Sequence, residues 1–198
     1  MSLYHLLDRS WIYKLSQWMV APGATIMLTR HVRHVLRSLP SGGPLLDVGC
    51  GPSSWLWRCG LQPVGVDVSP EYVASYQAAG GEALVGSATA LPFADQSFAG
   101  VWSIGLLHHL KDADAAQAIR EMLRVRKNGG YVVIVDAVLP ISRWSRPLAW
   151  WLRKRDRGGF VRDMADHQTL FEPGAWRFER HTYALTGLEC SMAINTSP

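Results

Sequence analysis

Two carboxylates, a glycine pair and a histidine pair are the residues whose types and spacing could do chemistry. Asp47 stands two residues ahead of Gly49 in the run Asp47-Val48-Gly49-Cys50-Gly51-Pro52-Ser53, and Asp67 lies twenty residues beyond Asp47 in Val64-Gly65-Val66-Asp67-Val68. Glycines let a backbone approach a ligand closely and take angles that other residues resist. A carboxylate about twenty residues past such a loop can accept two hydrogen bonds from a ribose diol. Without Asp67 the glycines would equally suit a tight turn that binds nothing; with it, the pair points to an adenosine-bearing ligand. His108 and His109 follow at a greater distance, and Asp136 further still. A histidine near a reacting centre can move a proton, or it can simply cap and pack. Cys50, Cys59 and Cys190 form neither an even disulfide framework nor a metal-type cluster, so no metal is expected.

Charge narrows the ligand. A dinucleotide loop wants Gly-x-Gly-x-x-Gly, and the third position here is Ser54. Asp47 aimed into the loop would repel a pyrophosphate but pair with an ammonium group. The amino group of the methionine part of S-adenosylmethionine is such a partner.

These residues must be positioned by strands and helices. Leu45–Val48, Val64–Val68, Ala83–Val85, Phe98–Ser103 and Tyr131–Val135 read as five short buried strands. Leu28, Val32, Val35, Leu36 and Leu39 recur at helical spacing between Pro22 and Leu39. Ser69-Pro70 starts a second helix, as N-cap and first helical residue, and Gly80-Gly81 ends it. A third opens at Asp112 or Asp114 and is closed by Asn128-Gly129-Gly130; a basic fourth is expected near 145–157. Trp176–Leu185 and Leu188–Ile194, joined by Thr186-Gly187, read as an antiparallel pair on the sheet edge. Alternating strands and helices make the fold class α/β, a doubly wound sheet.

Composition agrees. The chain has 198 residues, 48% of them hydrophobic and 18% charged, which suits one domain with a sizeable core and excludes intrinsic disorder. No apolar run reaches the roughly 18 to 20 residues of a membrane span, and charges in the first apolar turns argue against a signal peptide. A cytoplasmic protein is expected. Net charge is +4, concentrated in the flanks.

Four motifs in order, LLDVGCGP, VGVDVSPEYV, GSATALPFADQSFAGVWSIGLLHHL and IREMLRVRKNGGYVVIVD, resemble those of class I S-adenosylmethionine-dependent methyltransferases, the small-molecule branch of ubiquinone and menaquinone biosynthesis in particular. The resemblance implies a Rossmann-like seven-stranded sheet, mostly parallel with an antiparallel C-terminal hairpin. It divides the single domain into an N-terminal helical cover (1–44), a cofactor-binding core (45–136) and an acceptor-side helix with the edge hairpin (137–198). It further implies that the loop Asp47, Gly49, Cys50 and Gly51 holds the methionine end of S-adenosylmethionine. Asp67 then takes the ribose, Val68 packs on the adenine, Ser87 and Ala88 meet the adenine edge, and Ser103 and Ile104 line the floor. Three positions depart from the pattern: Ser53 replaces the loop's third glycine, Ser87 replaces an acid at the adenine amino group, and Ala99 replaces a frequent aspartate.

Methyl transfer needs mainly proximity and orientation, and some acceptors need a base as well. His108 is the expected catalytic residue, with Asp136 as a further candidate. Residues 143–162 hold seven basic side chains against the single Asp156, with Trp144, Trp150 and Trp151 alongside. This stretch reads as a lid over a lipophilic or anionic acceptor, a face resting on a membrane, or a solvated edge helix. The expected function is methylation of a small molecule, with no nucleic-acid partner. A non-catalytic binding protein of the same fold and a nucleotide-dependent oxidoreductase are the alternatives.

Overall fold

The computed structural model describes residues 24–156, 158–174, 176–183 and 186–196. Tyr4, Trp11, Tyr13 and Trp18, expected either to close over the cofactor or to join the core, lie outside the described residues. Helix α1 (Ala24–Leu36) precedes β1 (Leu45–Val48), a single 3-10 turn (Leu56–Cys59), β2 (Val64–Asp67), α2 (Pro70–Ala78) and β3 (Ala83–Val85). Then come β4 (Phe98–Ile104), a second 3-10 turn (Leu107–His109), α3 (Asp112–Val125) and β5 (Arg126–Val138). Helices α4 (Pro147–Lys154) and α5 (Met164–Gln168) and strands β6 (Arg177–Thr182) and β7 (Glu189–Asn195) complete the order.

The seven strands lie in the order β3-β2-β1-β4-β5-β7-β6. The first five are parallel, and β7 enters antiparallel between β5 and β6. Strand order reverses between β1 and β4, so their carboxyl ends flank the crevice where doubly wound sheets bind ligands. Alternation along the strands supplies both faces with core. Val101, Val132 and Ile134 pack under α3 with Ala118, Ile119 and Met122. Trp102, Val133 and Val135 pack on the other face with Leu28, Val32 and Val35 of α1. Successive side chains of a strand point to opposite faces, which is why these strands read as unbroken apolar runs.

The expected caps are partly realised. Ser69 accepts a hydrogen bond from the Tyr72 N–H, with Pro70 in the first turn of α2. The Asn128-Gly129-Gly130 stop is not used: α3 ends at Val125, and Arg126 turns extended to pair with Phe98. Gly129 (φ 71°) instead serves a register shift between Phe98 and Gly100, where β5 bends into the sheet.

Candidate functional site

The first loop is tied to β2. The N–H groups of Gly49 and Cys50 donate to the Val66 carbonyl at 2.8 and 3.1 Å. Gly49 (φ 72°) and Gly51 (φ 60°) take left-handed angles, and a Cβ on Gly51 would meet nothing within 4 Å. The loop therefore presents bare backbone to open space. Asp67 closes it from the other side, its Oδ2 accepting from the Gly51 N–H at 3.0 Å and its Oδ1 from the Ser69 N–H at 2.9 Å. A carboxylate has about four acceptor positions, so two remain for a ribose diol. Val68, next along, is 75% exposed, an apolar platform at the strand tip.

Asp47 is buried beneath the loop, where its Oδ2 accepts from the Ser54 hydroxyl at 2.6 Å. The Ser54 oxygen in turn accepts from the Leu56 N–H at 3.1 Å. Burial pushes the Asp47 carboxyl up to about 6, against the Ser54 hydrogen bond and with a contribution from the Asp67 charge. A cation arriving here would relieve that penalty.

The other expected contacts divide. Ser87 is exposed at the end of β3, with its hydroxyl 2.8 Å from that of Thr89, and Ala88 is half-buried against the α3-side core. Ile104 is half-buried against the α1-side core. Two expectations need correction. Cys50 packs its side chain among Val73, Tyr76 and Ala83, where burial pushes its thiol up; only its backbone belongs to the loop. Ser103 is wholly buried and donates its hydroxyl to the Val48 carbonyl at 2.9 Å. It braces β4 against β1 and offers no side chain to a ligand.

His108 lies one short turn beyond β4. A Cβ on Gly49 would stand 3.0 Å from Leu106, and one on Gly105 would stand 3.7 Å from the His108 ring, so the two loops adjoin. His108 Nδ1 pairs with Asp136 Oδ1 at 2.5 Å, both groups buried. Burial works against the imidazolium, but the Asp136 charge and hydrogen bond, with help from Asp156, outweigh it and raise the His108 pKa above 6.5. The Asp136 pKa is lowered because His108 likewise overcomes the effect of burial. Nε2 faces Asp156 Oδ1 at 3.7 Å. His109 is exposed, its ring 4.2 Å from that of His108.

Several supporting residues carried no sequence signal. Arg162 donates to the Leu107, Leu110 and Phe160 carbonyls and to Asp112, and the Phe160 N–H donates to the His108 carbonyl. Together they strap residues 158–162 across the His108 turn. Arg153 holds Asp156 at 3.2 Å. His167 is buried with neither ring nitrogen hydrogen-bonded among the described residues; burial pushes its pKa down, against the pull of Asp136. The ties from Arg162 and Phe160 to residues 107–112 span 50 to 55 positions of sequence, and no local pattern encodes them. The described residues include no group of His, Cys, Asp and Glu placed to hold a metal ion.

Comparison with known proteins points the same way as the sequence motifs. Residues 46–134 match the family described as "Methyltransferase domain". Over this stretch the chain is similar to the S-adenosylmethionine-dependent methyltransferases. It is 39% identical over 104 residues to the tRNA (carboxymethyluridine(34)-5-O)-methyltransferase of Arabidopsis thaliana, a match covering 50% of this chain and 25% of that protein. It is 34% identical over 128 residues to the 2-methyl-6-phytyl-1,4-hydroquinone methyltransferase of Synechocystis, covering 57% of this chain and 40% of that one. The chain thus spans well under half the length of these relatives. The PH0226 protein of Pyrococcus horikoshii shares the fold across 100% of both chains, with TM-score 0.70 and 18% identity.

The cofactor of this family is S-adenosylmethionine, and the methyltransferase residues found here fit it. The open Gly51 backbone, the spare acceptor positions of Asp67, the bare Val68 and the buried Asp47 suit its sugar, base and ammonium. Asp67→Ala is expected to weaken S-adenosylhomocysteine binding by about 1 to 3 kcal/mol, the scale of hydrogen bonds to a charged group. Titration calorimetry reads this, and unchanged affinity would remove Asp67 from the ribose site. Ser87→Asp is expected to tighten binding, because a carboxylate is a stronger acceptor for the adenine amino group than a hydroxyl. Weaker binding by a folded variant would show that the site is built around the hydroxyl.

Proposed function

We propose that this protein transfers a methyl group from S-adenosylmethionine to a small-molecule acceptor, with His108 as the base. The observation that carries this reading is the buried His108–Asp136 pair, one turn from the glycine loop at the carboxyl ends of β1 and β4. Bound S-adenosylmethionine supplies an electrophilic methyl group on its sulfonium. An ionised Asp136 can only accept, so it keeps a proton on Nδ1 and fixes the ring's orientation. The proton that moves is therefore the one at Nε2. In the resting protein Nε2 faces Asp156, and the raised pKa favours the imidazolium. An acceptor O–H, N–H or acidic C–H reaching this position gives its proton to Nε2 when the ring is neutral. An acidic acceptor can arrive as an anion and pair with the imidazolium. The Arg162 strap crosses this turn and leaves the His108 side chain 11% exposed.

Relatives that act on a phytyl hydroquinone and on a tRNA nucleoside match over similar lengths. The buried base favours the smaller acceptor, because a group strapped under residues 158–162 is reached by a slender molecule more readily than by a folded RNA. We place the protein in the cytoplasm. The test is incubation with methyl-labelled S-adenosylmethionine and either a metabolite and lipid extract or total tRNA. Label is expected in an extract component. Label in tRNA would overturn the small-molecule acceptor, and no transfer from a cofactor-bound protein would favour a binding role.

A further inference from the structure

Segment 141–160 faces outward with its apolar side. Ile141, Trp144, Leu148, Trp151 and Phe160 are 79%, 81%, 66%, 47% and 40% exposed, although an amphipathic helix ordinarily buries such residues. The inward side of α4 is Ala149, which is buried, and Arg153, which donates to the Glu189 carbonyl at 3.1 Å. Arg146, just before the helix, reaches Glu189 Oε1 at 2.9 Å. These inward arginines are engaged by protein partners. The outward cations are placed differently: Arg143 lies over Trp144 at 4.7 Å, Lys154 over Trp150 at 5.6 Å and Arg155 over Trp151 at 4.3 Å. They rest on indole faces in place of carboxylates. Leu148 and Trp151 are one turn apart, so apolar groups and cations share a single strip.

We propose that this strip docks the protein on an anionic lipid bilayer. Indole and aliphatic side chains settle at the boundary between headgroups and acyl chains, while Arg and Lys stems reach back to the phosphates. Nucleic acid is the poorer fit: phosphates and bases would meet the cations and indoles but gain little from Ile141 and Leu148. A second copy is poorer too, since a two-fold interface would set Arg143, Lys154 and Arg155 against their own kind with no acidic patch in the strip to answer them. Among the described residues no helix is long and apolar enough to cross a membrane; the proposed attachment is through the strip.

The strip continues into the strap over His108, where a Cβ on Gly158 would collide with the imidazole. Docking would bring the strap to the bilayer surface, and an acceptor dissolved in the bilayer could reach His108 from there. This last step, which makes the acceptor class lipophilic, rests on the proposed function; the docking does not.

Co-sedimentation with vesicles of phosphatidylcholine, alone or mixed with phosphatidylglycerol, tests the docking. The protein is expected to sediment with the mixed vesicles and to be released by salt. The pairs Trp144→Ser with Trp151→Ser, and Arg143→Glu with Arg155→Glu, should each cut binding by about tenfold or more. Unchanged melting temperatures and S-adenosylhomocysteine affinities would show that these exposed substitutions leave the fold and cofactor site intact. A wild-type protein that ignores anionic vesicles overturns the proposal. So does undiminished vesicle binding by both folded pairs, or substitutions that abolish tRNA binding or dimerisation and leave the vesicles indifferent. Vesicle binding by a protein that fails to bind S-adenosylhomocysteine would uphold the docking and overturn the methyltransferase reading.

Discussion

His108→Ala lowers turnover by about a hundred- to ten-thousandfold, the usual contribution of a positioned general base, and leaves S-adenosylhomocysteine affinity unchanged. The measurement is an initial rate with the acceptor recovered from the labelled extract, beside a calorimetric titration of the cofactor product. Asp136→Asn separates proton transfer from mere packing. Asp136 raises the His108 pKa, so in the wild type the rate climbs with pH as the imidazolium gives up its proton and levels off at a higher pH than for an ordinary imidazole. Removing the carboxylate's charge lowers that pKa, and the climbing limb of the pH–rate profile moves to lower pH. The plateau should also fall, because an amide side chain, which can donate as well as accept, no longer enforces the Nδ1–H tautomer. A rate indifferent to His108→Ala, or a limb that stays in place in Asp136→Asn, would leave the pair a structural one.

Asp47→Asn makes the cofactor-free protein more stable and the cofactor weaker to bind. An aspartate ordinarily titrates at 3.8, and burial raises Asp47 to about 6. Between these values the folded chain keeps a proton that the unfolded chain has released. Stability therefore falls as pH rises through that window and stays reduced above it, by about 3 kcal/mol on this shift. Asparagine carries no charge to desolvate and can still accept from Ser54. Its melting temperature without cofactor should exceed the wild type's by several degrees at pH 8 and match it near pH 4. S-adenosylhomocysteine should reverse the order, because its ammonium answers the wild-type carboxylate and stabilises only a chain that binds it well. Equal melting curves at pH 8, or equal affinity for the ligand, would take Asp47 out of the ammonium site.

Such opposed effects mark a residue retained for binding at a cost in stability, which evolved sites commonly show. The carboxylate sits under a loop whose two left-handed glycines bring no side chain to it, and Ser54 is its hydrogen-bond donor. This is the same arrangement that leaves Gly51 open to a ligand.

Residues 45–136 were legible because their information is local. Apolar runs of four to seven residues, a serine-proline start for α2 and glycines at turns each act within a few positions. Asp47, Gly49, Gly51 and Asp67 needed only a strand tip and a turn to come into register. The end of α3 departs from its local pattern for a reason outside its own sequence: pairing of Arg126 with Phe98 draws the chain into β5 before Asn128-Gly129-Gly130 can act as a stop. Resemblance to the family implies a cofactor role for Cys50 and Ser103, whereas packing under α2 and a hydrogen bond to Val48 decide where their side chains go. Tertiary structure alone decided the pairing of His108 with Asp136, 28 positions apart, and the placing of Asp156 and Arg162 around them. It also turned Trp144 and Trp151 outward and Arg146 inward, because Glu189, a buried carboxylate on β7, must have cationic partners, which Arg146 and Arg180 supply, while an indole on the surface forfeits only its apolar burial.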